Sequence, residues 1–197
     1  MKIKVPIISL TATASLAVLK DLQVELNLND ENIVYKMLIG RKELTFDIKQ
    51  IDSNTKKTIS IDKHENKYQE LLNFLKNNKP SKKNAGLIFT PHVNGNLGCY
   101  PLRRDLLLSL DIDIGIFSGD EPNDANTDIN NNLYKDCDFF KKKNSNKSSI
   151  SFYEQYKTEI QDKFKNNELS LMIATKSFGM GINKRNIRFT VHYGMPA

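Results

Sequence analysis

Short apolar runs alternate with amphipathic segments along most of this 197-residue chain. Residues 85–90, 114–117 and 171–175 are apolar runs with the length of a buried strand, and residues 187–193 alternate between apolar and polar side chains. Between these runs, leucines and aromatic residues recur at helical spacing. Strands that alternate with helices imply right-handed crossovers. The pattern therefore predicts an α/β domain with an open, doubly wound, mostly parallel sheet.

The first 51 residues carry a weaker pattern. Residues 5–10 form an apolar run that predicts a strand, followed by a turn of small residues. Ser15 is a candidate N-cap for a helix that is expected to end at Asn29. Residues 33–51 alternate loosely between apolar and polar side chains and predict one or two strands.

Two polar segments interrupt the apolar pattern. Residues 52–66 are rich in Lys and Asn and predict a linker, which separates a unit over residues 1–51 from one over residues 67–197. Residues 120–149 hold few core-forming side chains and predict a mobile surface insertion. The lysine run at residues 141–143 is more typical of a solvated surface than of a binding patch.

Composition narrows the functional classes. The formal net charge is +6 and the sequence pI is near 9.1, which favours a polyanionic partner. No apolar run reaches the roughly 18–20 residues of a membrane span, so no membrane partner is expected. Cys99 and Cys137 are too few for a disulfide framework or a zinc site, and they are expected to be free thiols in a reducing, cytoplasmic setting.

Hydroxyl and glycine residues mark three segments that carry candidate chemistry. Residues 9–15 place Thr and Ser at a strand end, and Thr90 stands at the end of another predicted strand, two residues before His92. Thr175 ends a third strand. Gly179 and Gly181 then allow a tight loop whose amides can face phosphate oxygens. The same segment continues with polar and basic residues: Asn183, Lys184 and Arg185.

These three segments resemble motifs of the RecQ family of superfamily-2 DNA helicases. The run ATKSFGMGINKRNIRFTVHYGMP is similar to motif V and the strand after it, PIISLTATAS is similar to motif III, and GLIFTPH lies where motif IV opens the second RecA-like domain. The order and rough spacing of the three match. The resemblance implies a RecA-like fold in which residues 1–51 are the tail of the first RecA-like domain and residues 67–197 are most of the second.

The resemblance also implies roles for individual residues. Those expected to couple the nucleotide site to DNA movement are Thr11, Ala12 and Thr13. Those expected to lie on the DNA backbone are Thr90, His92, Thr175, Lys176, Lys184 and Arg185. Those expected to reach ATP are Gly179, Gly181 and Asn183. Lys176 and Arg185 depart from the family pattern, and their added charge is explained equally well by extra backbone affinity and by drift in an exposed loop.

The implied parent protein is an ATP-dependent DNA helicase of RecQ type, which uses ATP and Mg²⁺ and translocates 3′ to 5′ in DNA repair and recombination. Its partners are single-stranded DNA, contacted without sequence preference, and the first RecA-like domain of the same parent chain. An alternative is a catalytically inactive RecA-like domain that binds nucleic acid or protein. A third possibility, an RNA-directed helicase, is disfavoured by the residues of the motif V-like segment.

Several parts of such an ATPase are missing from the sequence. No G-x-x-x-x-G-K-[S/T] phosphate loop occurs. Asp120 and Glu121 follow an apolar run, but Ser118 and Gly119 intervene, so we interpret the acidic pair as unrelated to Mg²⁺ binding. Motif VI would follow residue 197. We therefore expect a middle fragment with no catalytic residues or metal site of its own and no ATP turnover alone, whose first 30 residues pack opportunistically or stay mobile.

Overall fold

A computed structural model describes residues 8–10, 15–34, 43–51, 61–123, 133–134, 151–178 and 182–194. The chain divides into two compact units, Met1–Lys49 and Gln50–Ala197. No helix in these described ranges is both long and apolar enough to cross a membrane.

The described part of the first unit contains one α-helix, α1, over Leu16–Leu26. Its N-cap is Ser15, as predicted, since the Ser15 hydroxyl accepts a hydrogen bond from the Val18 amide at 3.3 Å. Asn27 adopts a left-handed conformation with φ 49° and ends the helix two residues before the predicted position. A short 3₁₀ helix follows at Asp30–Asn32.

The strands predicted in this unit are absent from its described residues. Residues 8–10 and 43–51 have no regular secondary structure. The side chains of Leu44, Phe46 and Ile48 are 52%, 84% and 91% exposed. A strand needs a neighbour for its backbone hydrogen bonds and a surface that buries one face, and alternation in the sequence provides neither. The remaining parts of these two predictions, residues 5–7 and 35–42, lie outside the described residues.

The second unit alternates helices and strands. Its elements are α2 (Ile61–Asn77), β1 (Ala85–Phe89), α3 (Cys99–Ser109), β2 (Ile114–Phe117), α4 (Phe152–Lys165), β3 (Leu171–Ala174), a 3₁₀ turn (Lys176–Phe178) and β4 (Ile187–His192). The four strands form a parallel sheet in the order β2-β3-β1-β4. The predicted α/β class is thus confirmed, and this architecture is consistent with a RecA-like fold. Helix α2 begins at Ile61, so the last six residues predicted as linker are helical.

The core lies on the central strands. All four residues of β3 are buried, with Met172 and Ile173 at 0% exposure. At Gly86 in β1, a Cβ atom would lie 2.1 Å from Cζ of Phe189, so only glycine lets that ring cross the strand. The helices bury the apolar stripes that the sequence predicted: Leu71, Leu72, Leu75, Leu102, Leu106, Tyr156, Ile160 and Phe164.

Strand β2 is an edge of the described sheet, and two tyrosines of α4 cover its outer side. The amide of Ile116 donates to the hydroxyl oxygen of Tyr156 at 3.0 Å, and the amide of Ser118 donates to that of Tyr153 at 3.1 Å. Residues two apart on a strand present their amides to the same side, and residues three apart on a helix share a face. The tyrosine pair therefore supplies the acceptors that a neighbouring strand would otherwise supply.

The segment predicted as a surface insertion contributes to the core. Leu133 and Tyr134 are 3% and 0% exposed. The Tyr134 ring packs edge-on against Tyr156 at 5.7 Å between centroids, and its hydroxyl donates to the carboxylate of Glu121. The predicted surface insertion is therefore buried at these two residues, where the Leu-Tyr pair packs into the core.

Candidate nucleic-acid interface

Three buried hydroxyl residues lie side by side at the carboxyl edge of the sheet. They are Thr90, Ser118 and Thr175, at 4%, 0% and 8% exposure, and each follows the last residue of a strand. Among the described residues, they are the buried polar side chains. The strand register aligns them, because the Thr90 amide donates to the Ala174 carbonyl at 2.8 Å and the Thr175 amide donates to the Phe117 carbonyl at 3.1 Å.

Thr90 is held by the loop that joins β1 to α3. Its hydroxyl donates to the carbonyl of His92 at 3.0 Å and lies 2.9 Å from the sulfur of Cys99. Burial raises the pKa of the Cys99 thiol to about 11, so at neutral pH the thiol is uncharged and can act as a hydrogen-bond donor. The hydroxyl proton of Thr90 is therefore used within the loop, and the His92 side chain remains exposed.

The same loop depends on close backbone approach at Gly98. A Cβ atom there would lie 2.6 Å from the carbonyl oxygen of Val93 and 2.7 Å from the backbone of Asn94. The Cys99 amide donates to the His92 carbonyl at 3.1 Å, which closes the loop onto the start of α3. Gly98 therefore lets the chain after Thr90 fold back on itself and keep the hydroxyl in place.

Thr175 begins a corner that presents polar groups to solvent. Its hydroxyl lies 2.8 Å from the hydroxyl of Ser177, so one of the two donates to the other and the second proton is available to an external acceptor. Lys176 and Ser177 are exposed. Phe178 is 3% exposed and anchors the corner by packing against the rings of Phe117 and Phe164.

The groups at this corner are chemically suited to contact phosphate. A hydroxyl donor and an ammonium group are the side chains that contact nucleic-acid backbones without reading sequence. The charge of Lys176 is exposed, and the neighbouring hydroxyls of Thr175 and Ser177 add directional donors. The structure thus brings together three of the predicted backbone-contacting residues, Thr90, Thr175 and Lys176, at one edge, with His92 in the adjacent loop.

Lys184 and Arg185 lie at the opposite edge. They precede β4, which runs parallel to β3, so the chain crosses from the carboxyl edge at Thr175 to the amino edge before β4 begins. The Lys184 ammonium donates to the side-chain oxygen of Asn167 at 2.5 Å and lies 4.8 Å from the centre of the Phe164 ring. Burial lowers the pKa of Lys184. The resemblance implies that Thr175, Lys184 and Arg185 all contact the DNA backbone, and the structure places Lys184 and Arg185 at the opposite edge of the sheet from Thr175.

Asn183 is the one residue predicted to reach ATP that lies within the described ranges. Asn183 is exposed, with its amide available to a nucleotide or to solvent. The predicted coupling residues Thr11, Ala12 and Thr13 and the loop glycines Gly179 and Gly181 lie outside the described residues.

Sequence reasoning missed Ser118 as a member of the hydroxyl row. Its hydroxyl donates to the Asp120 carbonyl at 2.7 Å and contacts the hydroxyl of Tyr153. The available signal was its position one residue after a buried strand, which it shares with Thr90 and Thr175. The carboxylate of Glu121 accepts from Tyr134, which gives this acidic residue a structural partner. Over the described ranges, no group of three His, Cys, Asp or Glu side chains is placed to hold a metal ion.

Comparisons with known proteins point to helicases. The chain is 28% identical over 191 residues to the ATP-dependent DNA helicase RecQ of Bacillus subtilis, a match that covers 96% of this chain and 23% of that protein. A match of 39 residues to mouse ATP-dependent DNA helicase Q1 is 44% identical and covers 20% of this chain and 6% of that protein. A protein of Acanthamoeba polyphaga mimivirus whose name describes an ATP-dependent RNA helicase is 45% identical over 42 residues, 21% of this chain and 8% of that protein.

No protein-family model matches the chain. The chain spans less than a quarter of the length of these relatives. The similarity therefore supports a relationship with ATP-dependent helicases, predominantly those named RecQ-type DNA helicases.

Proposed function

We propose that this chain supplies the second motor domain of an ATP-dependent DNA helicase of RecQ type. The observation that carries the proposal is the Thr175 corner, where a hydroxyl pair and the exposed Lys176 lie at the carboxyl edge of a parallel sheet. Open α/β sheets bind ligands at this edge. The extended similarity to the RecQ helicase of Bacillus subtilis supports DNA as the polyanion.

In this proposal, residues 1–51 belong to the first RecA-like domain, residues 52–66 join the domains, and residues 67–197 form the second. Single-stranded DNA lies along Thr90, His92, Thr175 and Lys176. The Thr90 hydroxyl positions its loop, and the Thr175 corner donates to a phosphate. ATP hydrolysis supplies the energy for the domain movement that advances the strand 3′ to 5′.

The nucleotide is bound mainly by the first RecA-like domain of the same parent chain. Gly179, Gly181 and Asn183 reach it from the second domain, and Thr11, Ala12 and Thr13 couple the nucleotide to DNA movement. The exposed amide of Asn183 fits this role, because it can both donate to and accept from a nucleotide. Mg²⁺ accompanies the nucleotide in the parent protein and is not held by this chain alone. The setting is the cytoplasm, in DNA repair and recombination.

Binding to a labelled single-stranded oligonucleotide of about 20 nucleotides tests the proposal by fluorescence anisotropy. Thr175→Val removes the hydroxyl and keeps the shape of the side chain. Loss of one hydrogen bond worth about 1 kcal/mol predicts roughly five-fold weaker binding. The control is Thr190→Val, which makes the same change at an exposed position within β4. Equal affinities for the two variants would contradict the role of the corner.

Three further measurements test the proposal and its alternatives. Binding should weaken steeply between about 50 and about 200 mM salt, since released counterions dominate backbone contacts. The 197-residue chain alone should not hydrolyse ATP. ATP turnover by this chain would contradict the proposal that hydrolysis needs the first RecA-like domain. Tighter binding to RNA than to DNA of the same sequence would favour an RNA helicase.

A further inference from the structure

The amino edge of the sheet carries a cluster of exposed basic residues that the proposed function does not use. We call it the amino-edge patch, and its members are Lys79, Lys82, Lys83, Lys165 and Arg185. They come from three segments: the loop before β1, the end of α4 and the loop before β4. In a parallel sheet, the starts of the strands and the ends of the preceding helices meet at this edge.

Hydrogen bonds between asparagines fasten the three segments together. The side-chain amide of Asn186 donates to the carbonyl of Lys82 at 2.5 Å and to the side-chain oxygen of Asn167 at 2.6 Å. The same Asn167 oxygen accepts from Lys184 at 2.5 Å. One asparagine side chain thus links the loop before β4 both to the loop before β1 and to the end of α4.

The loop before β1 is itself a closed turn. The amides of Ser81 and Asn84 donate to each other's carbonyls at 2.9 and 3.0 Å. The side-chain amide of Asn84 donates to the carbonyl of Lys79 at 3.0 Å. The backbone that carries Lys79, Lys82 and Lys83 is therefore fixed by short-range hydrogen bonds, and less conformational freedom is lost when a ligand binds it.

Two patch residues stand in loops that lead into neighbouring strands. Ala85 of β1 pairs with Ile187 of β4, and the Ala85 amide donates to the Asn186 carbonyl at 3.0 Å. Lys83 and Arg185 each stand two residues before this pair, in the loops that lead into β1 and β4. Like charges at one edge of a sheet repel, and an anion bound between or across them offsets the repulsion.

The local charge balance is strongly positive. Asp162 and Glu168 are the exposed acidic residues in the three segments, against five exposed basic residues. Lys184 is set apart from the patch, because its ammonium is bound to Asn167 and packs on Phe164. The excess of fixed positive charge, spread over three segments, suits an extended polyanion better than a single small anion.

We propose that the amino-edge patch binds a nucleic-acid backbone as a second contact, separate from the Thr175 corner. The existence of a polyanion site rests on the patch, and the choice of nucleic acid as its ligand rests on the proposed function. The two edges are separated by the length of a strand, roughly 15 Å. A separate segment of the nucleic acid therefore occupies the patch, with contacts to phosphates and none to base edges.

The test compares two charge-reversal variants of the 197-residue chain. Lys83→Glu with Arg185→Glu alters the patch. Lys20→Glu with Arg104→Glu is the matched control, since it makes the same change in net charge at two other exposed positions. Affinity for a duplex oligonucleotide with a single-stranded tail is measured over a range of salt concentrations, and circular dichroism checks that each variant folds.

The patch variant should lose at least about ten-fold in affinity at about 50 mM salt, and the slope of log affinity against log salt should become shallower by about 2. The control variant should lose less and keep the slope. Equal losses in both variants would overturn the proposal, as would failure of the wild-type chain to bind. A patch variant that keeps its DNA affinity but no longer binds poly-glutamate would overturn it in favour of an acidic protein partner.

The same series separates this proposal from the proposed function. If Thr175→Val leaves binding unchanged while the patch variant weakens it, the result supports the contact at the amino-edge patch and contradicts the contact at the Thr175 corner. If only Thr175→Val weakens binding, the result contradicts the contact at the patch and supports the contact at the corner. For two independent contacts, the two losses in binding free energy add when the substitutions are combined.

Discussion

Removal of one oxygen atom from α4 should measurably weaken the edge of the sheet. Ile116 is fully buried in β2, and its amide points away from β3 toward the hydroxyl of Tyr156, 3.0 Å away. Tyr156→Phe removes this acceptor and keeps the aromatic ring, which packs against Tyr134 and Tyr153. The substitution therefore tests the hydrogen bond with little change in packing.

The expected cost follows from the burial of both groups. A buried backbone donor that loses its acceptor costs about 1–3 kcal/mol, because no water replaces the lost oxygen. Tyr156 is 1% exposed, so water has little access. For a unit the size of Gln50–Ala197 this corresponds to a fall in Tm of roughly 2–12 °C.

Urea unfolding followed by circular dichroism provides the measurement, with unfolding free energies from linear extrapolation. Tyr193→Phe is the control, since Tyr193 is 4% exposed and, among the described residues, its hydroxyl makes no hydrogen bond. The control should change stability by less than about 0.5 kcal/mol. Equal stabilities of the Tyr156→Phe and Tyr193→Phe variants, with unchanged hydrogen exchange at the Ile116 amide, would refute the reasoning.

Two further predictions concern the loop after β1. Gly98→Ala should destabilise the protein by about 1–3 kcal/mol because its Cβ atom meets the Val93 carbonyl, whereas Gly119→Ala, whose Cβ atom meets nothing within 4 Å, should be nearly neutral in thermal unfolding. Burial raises the pKa of Cys99 from 9.0 to about 11, so the neutral thiol favours the folded state. That contribution, on the order of 2–3 kcal/mol, should be complete below about pH 9 and lost as the pH rises to about 11. Over this pH range, the unfolding free energy of Cys99→Ala should fall less than that of the wild type. Equal falls in the two proteins would contradict the assignment of this pH dependence to the Cys99 thiol.

The sequence predicted the sheet of the second unit closely, because each strand is a local signal. Continuous apolar runs such as residues 171–175 are typical of strands buried on both faces, and β3 is observed at Leu171–Ala174. Helix caps are also predicted by local sequence signals. The Ser151 hydroxyl accepts from the Glu154 amide at 3.2 Å at the start of α4, where the sequence predicted a capped helix.

The failures came from features that depend on distant partners. Leu44, Phe46 and Ile48 alternate like a strand, yet no described strand pairs with them. Tyr134 stands in a polar segment, and its burial depends on the neighbouring surface formed by Tyr156, which no local pattern reveals. Periodicity reports which side of an element is apolar and does not report whether a matching surface exists.

The site was predicted in part. The position of Thr175 followed from the end of a strand, and its contact with Ser177 required the structure. The separation of Lys184 from Thr175 could have been inferred, because a residue that precedes a parallel strand lies at the opposite edge from one that follows its neighbour. Thr175 and Lys184 are close in the sequence, and the crossover to β4 separates them in space.

The tyrosines that cover β2 close one edge of the described sheet to a further strand. At β2 the outward amides of Ile116 and Ser118 already have acceptors, so a strand that docked there would have to displace two buried aromatic side chains. Strand β4 stands at the other end of the order and, within the described residues, pairs only with β1. At the β2 end of the described sheet, the addition of a strand therefore requires two buried tyrosines to give up their hydrogen bonds.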